Sequence, residues 1–193
     1  MQALFDYGDV VWEGEPFVPS GNAAKVAGFA QELEALRRIF TVNERGQFEF
    51  VVTEANLREV MARGSAGYTQ WVHDLLDTCL VQAAGERLRT PATSHQRPGS
   101  VSKKDWLLLA DALALGCDAF LTMERRLASQ ADVIGRLTGL HVLRPRGYWT
   151  SWPLGRPSTT DAIEGRLEPR QATLASSGPL RVAVATAPIG DWI

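Results

Sequence analysis

VSKKDWLLLADALALGCDAFLTMERRLASQADVIGRLTGLHVLRPRGY, residues 101–148, carries the alternation that decides the fold. Ser102 precedes an apolar-periodic run that ends near Leu115, with Gly116 as a stop, so the spacing predicts a capped helix. DAFLTM, residues 118–123, reads as a buried strand, residues 124–138 as a helix, and LHVL, residues 140–143, as a final strand before Pro145. Upstream, FEFVVT (residues 48–53) is β-rich, and Thr53 can cap a helix through Leu57, Val60 and Met61 that frays near Gly64. Tyr68, Trp71, Val72, Leu75, Leu76, Cys79, Leu80 and Ala83 fall on one helical stripe, and residues 23–40 show the same period. MQALFD, residues 1–6, reads as a short strand ending in Asp6. Strands separated by helices predict an α/β three-layer sandwich around a central parallel sheet. Ligands of such sheets collect at the carboxyl ends of the strands.

Residues 7–22, 43–46 and 90–100 read as loops and turns from their Gly, Pro, Asn and Ser content. From 151 to 193 the chain holds five prolines and four glycines without helical period, so residues 1–149 read as one domain and 150–193 as an extended or disordered tail. The exception is LRVAV, residues 180–184, which reads as a strand or an adhesive peptide. No internal repeat is present.

The whole chain has 193 residues, 45% of them apolar and 22% charged, which suits one globular domain and excludes a coiled coil or collagen-like repeat. No stretch approaches the roughly 18 apolar residues of a membrane span, and the first residues carry no basic leader. Cys79 and Cys117 both fall in apolar patterns, which suits a reducing compartment, and the expected address is the cytoplasm. Net charge is −2, so bulk basicity does not announce a nucleic-acid partner. Its distribution is uneven: residues 1–80 carry 6 basic and 12 acidic side chains, residues 81–150 carry 10 and 6. That pattern fits either an acid-lined site beside a phosphate-attracting rim or scattered solvated surface.

Acids recur where the expected strands hand over to helices: Asp6, Glu59, Asp105 and Glu124. Carboxylates gathered on one rim repel, and a fold tolerates them with a cation between them. Hard oxygen ligands select Mg²⁺ or Mn²⁺, and such an ion suits phosphodiester hydrolysis. Each acid also has a plain role. Asp105 completes a capping box with Ser102, Glu124 favours a helix dipole, Glu59 has Arg63 four residues on, and Asp6 can be loop polarity. Helical spacing turns Asp111 about 240° from Asp105, so the two face different ways. Glu54 and Glu59 are about 140° apart, and Glu59 is the inward candidate.

Residues 101–148 resemble the second half of a PIN domain. The match rests on an acid opening a helix (Asp105), a small residue on the same face (Ala112), the GCDAFLT turn and strand, the acidic position that follows, and the closing LHVLRP strand. FVVTEANLREV, residues 50–60, resembles the segment that carries that family's conserved Glu, which places it at Glu59. The resemblance spans roughly residues 45–148. It implies a Mg²⁺- or Mn²⁺-dependent endoribonuclease, often the toxin of a toxin–antitoxin pair with an antitoxin protein as partner. Glu59, Asp105 and Glu124, with Asp6 if it aligns, would then hold the metal and orient water, and a homodimer is a further expectation. The alternative is a PIN-fold protein without catalysis that acts by binding protein or RNA.

Three departures stand out. The last acid is Glu124 where the family has Asp, Met123 precedes it, and MQALFDYG lacks the hydroxyl residue that follows the family's first Asp. A first strand upstream of Met1 is therefore the competing expectation for that ligand. Lys103, Lys104, Arg125 and Arg126 flank the acids and can grip RNA phosphates or serve as solubilising charges. Trp106 can stack a base or pack into the core. His73, His95 and His141 have no ligand spacing, and two cysteines are too few for zinc.

Overall fold

A computed structural model describes residues 2–21, 23–43, 48–63, 65–78, 81–82, 96–151 and 180–184. The expected fraying at Gly64, the turn residues 44–47, the stripe positions Cys79, Leu80 and Ala83, loop residues 90–95 and tail residues 152–179 and 185–193 lie outside them.

The β-rich runs form strands because their side chains alternate between two apolar layers. The strands are β1 (Phe48–Val52), β2 (Val81–Gln82), β3 (Ala119–Leu121), β4 (His141–Leu143) and β5 (Leu180–Val184). They form one sheet in the order β2-β1-β5-β3-β4, and every pairing is parallel. Phe50, Val52, Ala119, Leu121, Val182 and Val184 face one core, whereas Val51, Phe120, Ala183 and Val142 face the other. That period of two, buried on both sides, is what a covered parallel sheet requires.

Helices supply the two covers. The first face carries α1 (Gln2–Asp6), α2 (Phe29–Asn43), α4 (Ala66–Thr78) and α8 (Pro145–Ser151), which contribute Leu4, Leu33, Leu36, Val72 and Tyr148. A π-helical turn, Asp9–Glu13, joins them through Val11. The second face carries α5 (Lys103–Ala114), α6 (Arg125–Ala128) and α7 (Ala131–Thr138), through Leu109, Ala112, Leu127 and Ile134. The α3 helix (Glu54–Arg63) follows β1, and its Val60 enters the first core. Among the described residues no helix is long and apolar enough to cross a membrane.

Capping signals act as their chemistry predicts. Thr53 Oγ1 accepts the Asn56 N–H at 3.2 Å, and Ser102 Oγ accepts the Asp105 N–H at 3.1 Å. Gly116 has φ +67°, a conformation that other residues adopt only with strain, so α5 stops there. The α3 start gains a second cap from across the fold, because Asp111 Oδ2 accepts the Ala55 N–H at 2.8 Å. Asp111→Ala is expected to cost about 1 kcal/mol, as lost helix caps do. Chemical denaturation checks this, with a lower midpoint and an unchanged slope.

Some expectations need correction. MQALFD forms a helix, not a strand: Ala3 and Leu4 are buried and Phe5 packs on Tyr68 and Trp71, at ring separations of 5.2 and 5.6 Å. Gln, Ala and Leu favour helix, and the sheet position a first strand would take is filled by β5. Of the two readings of residues 180–184 the strand is the one formed, and α8 runs across the boundary expected at 149. The stripe from 68 to 83 ends as helix at Thr78, and Val81 and Gln82 pair with Val51 and Val52. Residues 124–138 form two short helices rather than one. Cys117, assigned to a helical pattern, lies just beyond α5 and is buried.

Candidate functional site

The rim of interest begins where α3 and α5 meet. Lys104 and Asp111 are seven residues apart, two turns of helix, so both reach α3 from one face of α5. Lys104 Nζ lies 2.6 Å from Glu59 Oε1, and Asp111 holds the α3 amino end. The Glu59 side chain is only 10% exposed while that of Lys104 is 44% exposed, so the lysine stem bridges from solvent to a nearly enclosed carboxylate. Glu59 thus meets a cation carried by another helix.

Asp105 adopts the capping role in full. It is half-buried, and its Oδ2 accepts the Ser102 hydroxyl at 2.6 Å while its own N–H returns to Ser102 Oγ. Glu124 stands at the N-cap of α6 without a side-chain cap bond, and its N–H donates to Thr122 Oγ1 at 3.0 Å. Asp6 ends α1, exposed, and accepts from Gln2 Nε2 at 2.8 Å. Partial desolvation raises the Asp6 pKa above the ordinary carboxylate value, against the Gln2 bond. Asp6 therefore ends a helix, and not the strand that the sequence predicts.

Asp6 and Glu59 do share one neighbourhood. The Tyr68 phenol is 3% exposed; burial pushes its pKa far up, and the charges of Asp6 and Glu59 add to the shift. Its hydroxyl has no hydrogen-bond partner among the described residues. A Mg²⁺ or Mn²⁺ site needs several oxygen ligands converging on one point. Among the described residues no group of three His, Cys, Asp or Glu side chains is placed to hold a metal ion. Glu59 is paired with Lys104 and Asp105 with Ser102, so an ion at these carboxylates would have to displace both partners.

The basic flank divides. Lys103 and Arg126 are exposed, and Arg125 is exposed but ties its guanidinium to the Ala27 carbonyl. Trp106 is half-buried against the second core, the packing role.

Two polar features escaped the sequence reading. Glu32 is 5% exposed on α2; Oε1 lies 3.3 Å from Arg144 Nη1, and Oε2 accepts the Arg146 N–H at 2.9 Å. Its position, three after Phe29 and four before Leu36 on the buried stripe, was the available signal. Asn56 is fully buried and donates from Nδ2 to the Val184 carbonyl at 2.6 Å, which no local pattern reveals.

Comparison with family models, with curated proteins and with solved structures finds no match to this chain.

Proposed function

We propose that the chain is a PIN-like protein that binds the backbone of single-stranded RNA along the α5 and α6 amino ends without hydrolysing it. The observation that carries this reading is the Lys104–Glu59 pair at 2.6 Å. An ammonium supplies at Glu59 the positive charge that a carboxylate rim otherwise takes from a metal, but it cannot act as a Lewis acid or generate hydroxide. Lys103 and Arg126 are exposed in the first turns of α5 and α6, where they can meet phosphates, and phosphate contact needs no base-specific geometry.

The second reading is the divalent-metal-dependent endoribonuclease, a toxin with an antitoxin partner. It is favoured by Glu59 and Glu124 lying just after β1 and β3, the two strands that flank β5. It requires Lys104 to leave Glu59 and Asp105 to turn from Ser102.

Fluorescence anisotropy with labelled single-stranded RNA, with Mg²⁺ and with chelator, separates the two. Binding is expected in both buffers, and the RNA recovered is expected intact. Lys103→Glu combined with Arg126→Glu is expected to weaken binding about tenfold and flatten its salt dependence by about two counterions. No binding at low salt ends the first reading. Mg²⁺-dependent cleavage that Asp105→Asn removes replaces it with the second.

A further inference from the structure

The two halves of the sheet do not pair with each other. Strands β1 and β2 form one half, β3 and β4 the other, and among the described residues β5 alone joins them, pairing through Phe48↔Leu180 to Val51↔Ala183 on one side and Ala119↔Val182 to Leu121↔Val184 on the other. Until residues 180–184 arrive, β1 and β3 present two facing rows of unpaired backbone groups, a template for an extended segment.

The slot is written for one occupant. At its entry, Asp118 Oδ2 accepts the Arg181 N–H at 3.0 Å, the Asp118 N–H returns to the Arg181 carbonyl at 2.9 Å, and the Arg181 guanidinium reaches the Leu115 carbonyl. At its exit the Asn56 amide takes the Val184 carbonyl. Between them Val182 and Ala183 are both 0% exposed, so the small Ala183 methyl suits a face that the second core has already filled. These features select the sequence 180–184, but none of them depends on which chain supplies it.

Residues 152–179 separate β5 from α8. A connection of that length spans at most roughly 90–100 Å, enough contour for residues 180–184 to reach either their own slot or that of a second copy, and the second copy competes better as protein concentration rises. We infer that β5 is an exchangeable strand, and that two copies form a reciprocal dimer in which residues 180–184 of each fill the β1–β3 slot of the other. Every contact inside the slot is conserved in the exchange, which is the usual low-cost route to a swapped dimer. The inference is independent of what the rim binds.

The test uses the full chain with Val51→Cys and Ala183→Cys, register partners whose side chains face the same core. Neighbouring strands lie about 4.8 Å apart, inside the span a disulfide bridges. Refolding at about 10 μM and at about 1 mM, the upper value being of the order that linked segments reach, followed by oxidation and non-reducing electrophoresis, reads which chain filled the slot. A reducible dimer band that grows with concentration and is absent from the Val51→Cys single variant is the expected result. Internal bonding alone at both concentrations overturns the inference. If the double variant fails to fold, tagged and untagged wild-type chains are refolded together, and separately mixed after folding. Mixed dimers after joint refolding but not after simple mixing support strand exchange. Their absence, or their equal formation on simple mixing, refutes it.

Discussion

Ending the chain at Pro179 is expected to abolish the cooperative unfolding transition. The truncation removes β5, and with it the only pairing partner shared by β1 and β3 among the described residues. Val182 and Val184 are 0% and 4% exposed, on one face, and Ala183 is 0% exposed on the other. Burial of two valines contributes about 3–6 kcal/mol. The total stability of a domain is only about 5–15 kcal/mol, so that loss, with the lost strand pairing, is enough to unfold it. Calorimetry and near-ultraviolet circular dichroism are the measurements, with helical signal partly retained and fixed aromatic packing lost. Because truncation also removes residues 185–193, Val182→Asp is the companion variant: an unpaired carboxylate at a fully buried site should produce the same collapse. A truncated chain that melts cooperatively within a few degrees of the full chain would show that the sheet stands without its centre.

The same strand marks the limit of what local pattern carries. Thr53, Ser102 and Gly116 announce helix ends because a cap is a contact among neighbours in sequence, and the structure realises all three. Period two in FEFVV and AFL, read with flanking helices, is enough to place β1 and β3 in a covered parallel sheet. LRVAV has the same composition as any buried strand, but its place is fixed by Asp118, Leu115 and Asn56, residues more than sixty positions away. No window around it contains that information. The opening helix is the complementary case. Six residues of mixed propensity fit either state until β5 takes the central position and leaves Ala3 and Leu4 to pack from the side.

The rim shows the same division. Asp105 was legible as a capping acid, since Ser102 is three residues away. The turn that separates Asp105 from Asp111 was legible from helical geometry, and Asp111 indeed faces α3. That Glu59 would meet Lys104 was not, because it depends on how α3 lies against α5. Charge at a helix surface specifies a need for a partner, while the packing of helices decides which partner answers.

Glu32 supplies the largest single-residue effect expected outside the sheet. Its carboxylate is 5% exposed and serves two donors, the Arg144 guanidinium and the Arg146 N–H in the first turn of α8. Burial already lowers the Arg144 pKa, and Arg125 lowers it further while Glu32 raises it; Arg144 Nε is buried with no partner among the described residues. Glu32→Ala therefore leaves a partly buried cation and a backbone donor without their acceptor. Removing one member of a buried pair costs about 3–5 kcal/mol, the upper part of that range being reserved for full enclosure, which Arg144 at 23% exposed does not reach. Glu32→Gln keeps an acceptor for the Arg146 N–H and is expected to lose less. Glu32→Leu with Arg144→Met removes both charges and should recover part of the loss, as apolar replacements of buried pairs do. Equilibrium denaturation of the four proteins tests the ordering. A cost for Glu32→Ala no greater than that of an exposed salt bridge, under about 1 kcal/mol, would mean that α8 is held to α2 by Tyr148 and its apolar neighbours alone.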